Sequence, residues 1–390
     1  MKQNRLIWAL LFGGTLSYAL IFAVAAIYKF HSFWMGFDLG VHEQLIWNTM
    51  HGRIAAVSPF GNTQSYFGID IILVEVMLTP LYALLPRTET LLVLQVVLAA
   101  SGSLPIFLIA RDRLGSGWYG LLGALCYLAA LPVQHAILYE FQIRTVGTVC
   151  FLWAFLFLAR RQFWPFVLAA LLAIWTRSDA GLALAAMGGY AAIQRYRWPW
   201  VITPMVMGLG WLWLCVRVLI PAFRTDDSFQ YTFIYGWLGD TPLEMLQTLV
   251  LQPGYVASHV LTPEKLWYLL ELFGPLLFLP LLRPDILLMA LPSLGLNLLS
   301  ADRIHWSIRY HYQAFVIPFL LIAAIYVIGD CLQRNQRTNS PVDGGKRRWY
   351  AKLPIGQGLA LLLLLSALGS QLVLRSPLIN LATRRVMLSG

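Results

Sequence analysis

The 390 residues are 59% hydrophobic and 12% charged, and they carry a net charge of +10. Apolar runs of about 20 residues, long enough to cross a bilayer as helices, recur along the chain, which marks an all-α polytopic membrane protein. A β-barrel would instead alternate over short segments, and the positive charge reads as a loop-sidedness signal, with no nucleic acid implied.

The chain opens on Met1-Lys2-Gln3-Asn4-Arg5, and an apolar run continues from Leu6 to about Tyr28 without a small-residue cleavage site. We expect a retained signal anchor with a cytoplasmic N-terminus in the cell membrane. An outward loop, 30–89, follows. In its first stretch Asp38 is a natural N-cap, because a short carboxylate can accept the free N–H groups of the next turn. On a helix beginning at Leu39, Gly40, Glu43, Gln44, Trp47, Asn48 and His51 share one side, with Leu39, Ile46 and Met50 opposite. Such a helix lies flat at a membrane boundary. Two readings follow: a plain surface helix, or one wall of a reaction site that includes Asp38.

Ile71–Pro86 resembles a span, yet it is short, carries Glu75 and is interrupted by Pro80. If it crossed, the basic cluster Lys346-Arg347-Arg348 would be exported. If it stays juxtamembrane or re-entrant, Arg111/Arg113, Arg160/Arg161, Arg195/Arg197, Arg283 and the Arg334–Lys352 loop all sort to the cytoplasm. The second arrangement is the expected one. Further spans are expected near 90–110, 118–138, 144–160, 163–177, 180–195, 198–222, 264–282, 285–300, 313–331 and 353–374, about eleven with the first. The domain plan is then a membrane domain over 1–330, a cytoplasmic loop over 331–352, and a last helix with a short tail over 353–390. The four cysteines all lie in or beside apolar runs, so neither a disulfide framework nor a metal knuckle is indicated.

On this topology all seven histidines, and most acidic residues, fall on or near the outward side. Three constellations join Asp38 there. Glu140-Phe141-Gln142-Ile143-Arg144 occupies a very short loop, Arg177-Ser178-Asp179 sits between two short spans, and Arg309-Tyr310-His311-Tyr312 precedes a span. Arginine suits a phosphate, since its planar fork donates two parallel hydrogen bonds. The plainer reading of each is topological: an arginine reaching for headgroups, or an Arg–Asp pair closing a turn.

A set of stretches then resembles a known family. They are Phe37-Asp38-Leu39-Gly40 with Gln44 and Trp47, Phe67-Gly68, Pro80-Leu81-Tyr82, Thr90 to Gln95, Leu104-Pro105 and Ala110-Arg111. Later come Pro275 to Pro284, Leu291-Pro292, Asn297 to Ser300, His311-Tyr312 and Pro318-Phe319. They resemble a prokaryotic family of membrane proteins filed as a domain of unknown function and grouped with the GT-C glycosyltransferases, which use polyprenyl-phosphate-linked sugars. The likeness covers the chain to about residue 330.

It implies a GT-C-like fold with juxtamembrane helices in the first outward loop. It also implies transfer of a sugar from a polyprenyl-phosphate donor at the extracytoplasmic face. Asp38 takes the role of base or anchor, and Arg144, Arg177 and Arg309 become phosphate candidates. Glu43, Trp47, His51, Tyr310 and His311 are substrate-side candidates, while Asp70, Glu140 and Asp179 could hold a divalent metal ion. The chain departs from the family pattern in having Asp70 for a histidine, Glu140-Phe141-Gln142 for Asp-Phe-His, and Arg177-Ser178-Asp179 for Lys-Glu-Asp. The competing readings are a transporter or flippase of a lipid-linked or anionic substrate, and a non-catalytic assembly subunit. Against the transporter, no inverted repeat is evident and the polar groups collect on one face.

Overall fold

The computed structural model describes residues 2–226, 231–338 and 355–382. Most of the expected Arg334–Lys352 loop, and Asp227, lie outside these residues. Among the described residues the chain is helical with one isolated β-bridge, Ala56 to Ser65.

Helix α1 (Lys2–His31) is the long N-terminal run, and α2 (Phe37–Met50) follows a short linker. Two short helices come next, α3 (Leu73–Met77) and α4 (Thr79–Leu84), the second with Pro80 in its first turn. Together they are too short to cross a bilayer alone, in keeping with a juxtamembrane segment. Helices α5 (Thr88–Ser101) and α6 (Ser103–Leu114) join through Gly102 into one apolar length. Helices α7 (Gly117–Leu128) and α8 (Leu131–Tyr139) are bent by 47° at their junction, where Pro132 cannot donate a backbone hydrogen bond.

The largely buried α9 (Arg144–Ala159), the half-exposed α10 (Phe163–Ile174) and then α11 (Ala180–Ile193) lead into α12 (Trp198–Leu214), which runs through a π-turn to Ala222. Helices α13 (Pro242–Leu251), α14 (Pro253–Val260), α15 (Pro263–Phe273) and α16 (Leu291–Leu299) are short. The chain closes with α17 (Ile317–Thr338), α18 (Ile355–Val373) and α19 (Pro377–Ala382).

Among the described residues, five continuous helical lengths are long and apolar enough to span, Gln3–His31, Thr88–Leu114, Trp198–Ala222, Ile317–Arg334 and Gly356–Leu381, and the bent α7–α8 pair would add a sixth. The remaining expected spans take other forms. Helices α9, α10 and α11 are shorter apolar helices. The stretches expected as spans at 264–282 and 285–300 are broken into short pieces, with Leu277 and Phe278 in left-handed conformation (φ 54° and 55°). Pro275, Pro280, Pro284 and Pro292 explain the breaks, because each removes a donor and disfavours a helical residue before it.

The centre of the bundle is formed by α9, with Phe151 and Phe155, and by α17, with Phe319 and with Phe315 in the turn just before it, all four fully buried. Helices α11 and α12 approach most closely where Gly181 faces Gly208. A Cβ on Gly208 would stand 2.2 Å from the Gly181 carbonyl oxygen, so only glycine permits this contact, as at small-residue interfaces in membranes. Charges segregate by end. Arg113, Arg283, Asp285 and Asp330 interlock at the end where α6 and α17 finish, with Arg160 bound to Asp112 nearby. The opposite end gathers α2–α4, the 140–144 turn, the 177–179 turn and the 301–316 loop.

Candidate active site at the α2 end of the bundle

Helix α2 starts two residues earlier than its sequence suggests, at Phe37. Asp38 therefore lies inside the first turn and makes no side-chain cap, which corrects its expected N-cap role. The cap is supplied from another element. Glu140 Oε1 accepts from the Gly36 N–H at 3.1 Å, and its Oε2 from the Leu39 N–H at 2.7 Å. A carboxylate at a helix N-terminus satisfies orphan donors and meets the positive end of the dipole. Asp38 is left with a different contact: its Oδ2 accepts from Gln142 Nε2 at 2.9 Å.

The turn that carries Glu140 and Gln142 is itself fixed from the core. Gln95 of α5 is fully buried, and its Nε2 donates to the Ile137 and Glu140 carbonyls at 3.0 and 2.8 Å. Its Oε1 accepts the Gln142 N–H. A buried amide must use its hydrogen-bonding capacity, and here that capacity sets the geometry around Asp38.

The other residues expected on the polar face of α2 do not join Asp38. Glu43 accepts from Thr88 Oγ1 at 2.7 Å and from the Tyr82 hydroxyl at 3.3 Å, tying α2 to α5 and α4. Trp47 and His51 stack on the outer side with ring centroids 4.0 Å apart. The inward side is instead the row Asp38, His42, Leu45. His42 and Glu75 form a buried pair, Nδ1 lying 2.8 Å from Oε1. Burial disfavours the charged imidazole, but the Glu75 carboxylate outweighs it by charge and hydrogen bond, so the His42 pKa is raised. Sequence periodicity missed this pair because His42 sits among apolar neighbours and Glu75 lies 33 residues away.

Arg144 and Arg177, expected to face a phosphate, are engaged by carboxylates. Arg177 Nη2 lies 2.5 Å from Asp70 Oδ2, and its Nε lies 3.4 Å from Asp179 Oδ1. Arg144 Nη2 donates to Asp179 Oδ2 at 2.7 Å, and its guanidinium sits 4.9 Å from the Phe315 ring centroid. The result is an alternating ladder, Asp70–Arg177–Asp179–Arg144, with Asp70 fully buried.

The same contacts decide the fit of a divalent metal. Asp70 and Asp179 are taken by guanidinium groups and Glu140 by backbone donors, and no group of three His, Cys, Asp or Glu among the described residues could hold an ion. The set Asp70, Glu140 and Asp179 does not fit the role.

An open volume lies at the same end of the bundle, and none of the four ladder residues lines it. A cavity of about 990 Å³ is walled by the end of α1, the 33–36 linker, the Tyr139–Glu140 turn, α15, the 303–310 loop and α19. Lys29, Arg303 and Arg309 are its cations. Lys29 Nζ donates to the Leu138 and Tyr139 carbonyls at 2.6 and 2.9 Å, which leaves one of its three donors. The side chains of Arg303 and Arg309 make no ion pair or hydrogen bond among the described residues, and Arg309 is exposed.

Tyr310 also lines the cavity, edge-on to Tyr139 with centroids 5.1 Å apart. His311 is buried behind it against Tyr139 and Tyr312. Burial, then the charges of Arg144 and Arg177, hold the His311 pKa well below its ordinary value, so it is neutral near pH 7. Of the three arginines expected together, only Arg309 reaches the cavity. Lys29 and Arg303 are the cations that the sequence reading missed, one at a helix end and one in an unremarked loop.

Long apolar helices around one core, with charged turns and short helices collected at one end together with a large cavity, define a polytopic helical membrane protein. The chain belongs to the family described as "Predicted membrane protein (DUF2079)", whose model matches residues 29–377. No curated protein matches it. Among solved structures, ArnT from Cupriavidus metallidurans bound to undecaprenyl phosphate is similar at a TM-score of 0.50 and 14% identity, over 96% of this chain and 73% of that one. At that identity the likeness speaks for the fold alone.

Proposed function

We propose that this protein is an integral-membrane glycosyltransferase that moves a sugar from a polyprenyl-phosphate donor to an acceptor at the extracytoplasmic face. The observation that carries the reading is the cavity. Its wall joins three cations, Lys29, Arg303 and Arg309, to the Tyr139–Glu140 turn that holds the helix of Asp38. The GT-C-like fold, and the undecaprenyl phosphate bound to the similar ArnT structure, support the same donor class.

In this reading the cations hold the donor phosphate and offset the charge that grows on it as the sugar departs. Arg309 and Arg303 offer planar bidentate forks, and Lys29 a point charge. Asp38 takes the proton of the acceptor hydroxyl, and Gln142 orients its carboxylate. The charge ladder keeps Arg144 and Arg177 in place behind the site, and no step passes through a metal.

The test is Asp38→Asn, assayed with purified protein and a polyprenyl-phosphate sugar. The asparagine oxygen still accepts from Gln142, and Glu140 still caps α2, so the melting temperature stays within about a degree of the parent. Transfer falls by roughly 10²–10⁴-fold, the usual worth of general-base catalysis. Parent-like transfer by the variant would end the role of Asp38. Movement of the lipid-linked sugar across the bilayer without product, by the parent, would favour a flippase.

A further inference from the structure

Helix α15 presents Glu264, Trp267 and Glu271 to the cavity. Their spacing of three and four residues places them along one face. The Trp267 Nε1–H donates to Glu271 Oε1 at 3.1 Å, and no donor among the described residues occupies the other oxygen. Trp306, on the neighbouring loop, lines the same space, and its Nε1 is buried without a partner. Arg309 lines the same cavity, close enough for its charge to act on Glu271. The cavity therefore holds both cations and an indole–carboxylate face.

Resting on the donor assignment above, we propose that the Glu264–Trp267–Glu271 face is the sugar-recognising wall, and that it selects an uncharged, hydroxyl-rich glycosyl group over a uronic acid. A carboxylate only accepts hydrogen bonds, and sugar hydroxyls supply donors for its free oxygen. The indole offers a flat, electron-rich face to the polarised C–H groups of a pyranose or furanose. The phosphate is one bond from the sugar, so its seat on Lys29, Arg303 and Arg309 fixes where the sugar can lie. A carboxylate on that sugar would find the cations already occupied by the phosphate and two like charges, Glu264 and Glu271, lining the same space. Burial, opposed by the Trp267 hydrogen bond and by Arg309, leaves the Glu271 pKa raised, as expected for a carboxylate on a partly dry wall.

The experiment measures binding in nanodiscs of three probes: bare polyprenyl phosphate, polyprenyl phosphates bearing a panel of neutral hexoses and pentoses, and polyprenyl-phospho-glucuronate. The parent should bind at least one neutral glycosyl lipid more tightly than the bare lipid, and the glucuronate more weakly than that neutral sugar. Glu271→Gln and Trp267→Ala should each remove about tenfold of the sugar increment, roughly one charge-assisted hydrogen bond. Trp267→Ala should leave the affinity for the bare phosphate unchanged and Glu271→Gln should not weaken it, since it removes a negative charge near Arg309, which also shows that the variants are folded. Glu271→Gln should in addition relax discrimination against the glucuronate. If the bare lipid binds but no neutral sugar adds affinity, or if both variants keep the full increment, the sugar wall is wrong and the donor site stands. If the bare lipid does not bind the parent, the donor site fails and this inference falls with it.

Discussion

At the scale of single residues, Asp38 and Glu140 divide two tasks that a single carboxylate at a helix start could have combined. Glu140 takes the backbone donors of α2, so Asp38 faces Gln142 with its charge not committed to capping. His42 is the third titratable group of this corner and lies one turn after Asp38. Its folded pKa is raised above its ordinary value of 6.5. The stabilisation it contributes is fully present below that value and is lost as pH rises through the raised one. Arg177 opposes the shift, and Asp38 adds to that of Glu75. We therefore expect the parent to lose thermal stability as pH rises above 6.5, and His42→Gln to lose that slope while being less stable at pH 6. Melting curves across pH 5.5 to 9 check this, and parallel profiles for the two proteins would refute it.

At the scale of elements, α2 is positioned by parts far away in the chain. Gln95 on α5 clamps the 140–142 turn, and that turn caps α2. Loss of a cap typically costs about 1 kcal/mol. Glu140→Ala should lower stability by about that amount, and hydrogen exchange should speed up at residues 36–39 with little change in α9. Unchanged exchange in the first turn of α2 would show that the cap does not act in solution. Helix α15 makes the complementary point. Its sequence stretch reads as the start of a span, yet prolines and a left-handed pair end the helix after Phe273. The chain there forms a cavity wall.

At the scale of the whole molecule, the two ends carry different chemistry. One holds interlocked Arg–Asp pairs around Asp330, and the other holds the cavity, the ladder and α2. From the basic-residue bias we propose that the first end is cytoplasmic, which would make the cavity extracytoplasmic. In a background lacking the native cysteines, Ser58→Cys and Ser116→Cys should label from opposite sides of intact cells, with Ser58 reached from outside. Labelling of both from one side would overturn this orientation.

The sequence alone determined the class, because hydropathy over about 20 residues reports the cost of exposing backbone and charge to lipid. It also determined which turns hold charge, and that Ile71–Pro86 is too short and interrupted to behave as an ordinary span. It could not say which charges face each other. Glu75 and His42, Asp70 and Arg177, and Gln95 and Gln142 are distant in the chain, and only helix packing brings them together. The tertiary structure therefore decided that Glu140, not Asp38, caps α2, and that Arg144 and Arg177 pair with carboxylates. It also brought Lys29 and Arg303 to the cavity beside Arg309. Periodicity along one helix carries no information about what stands opposite it, and that is what fixes the use of a buried polar group.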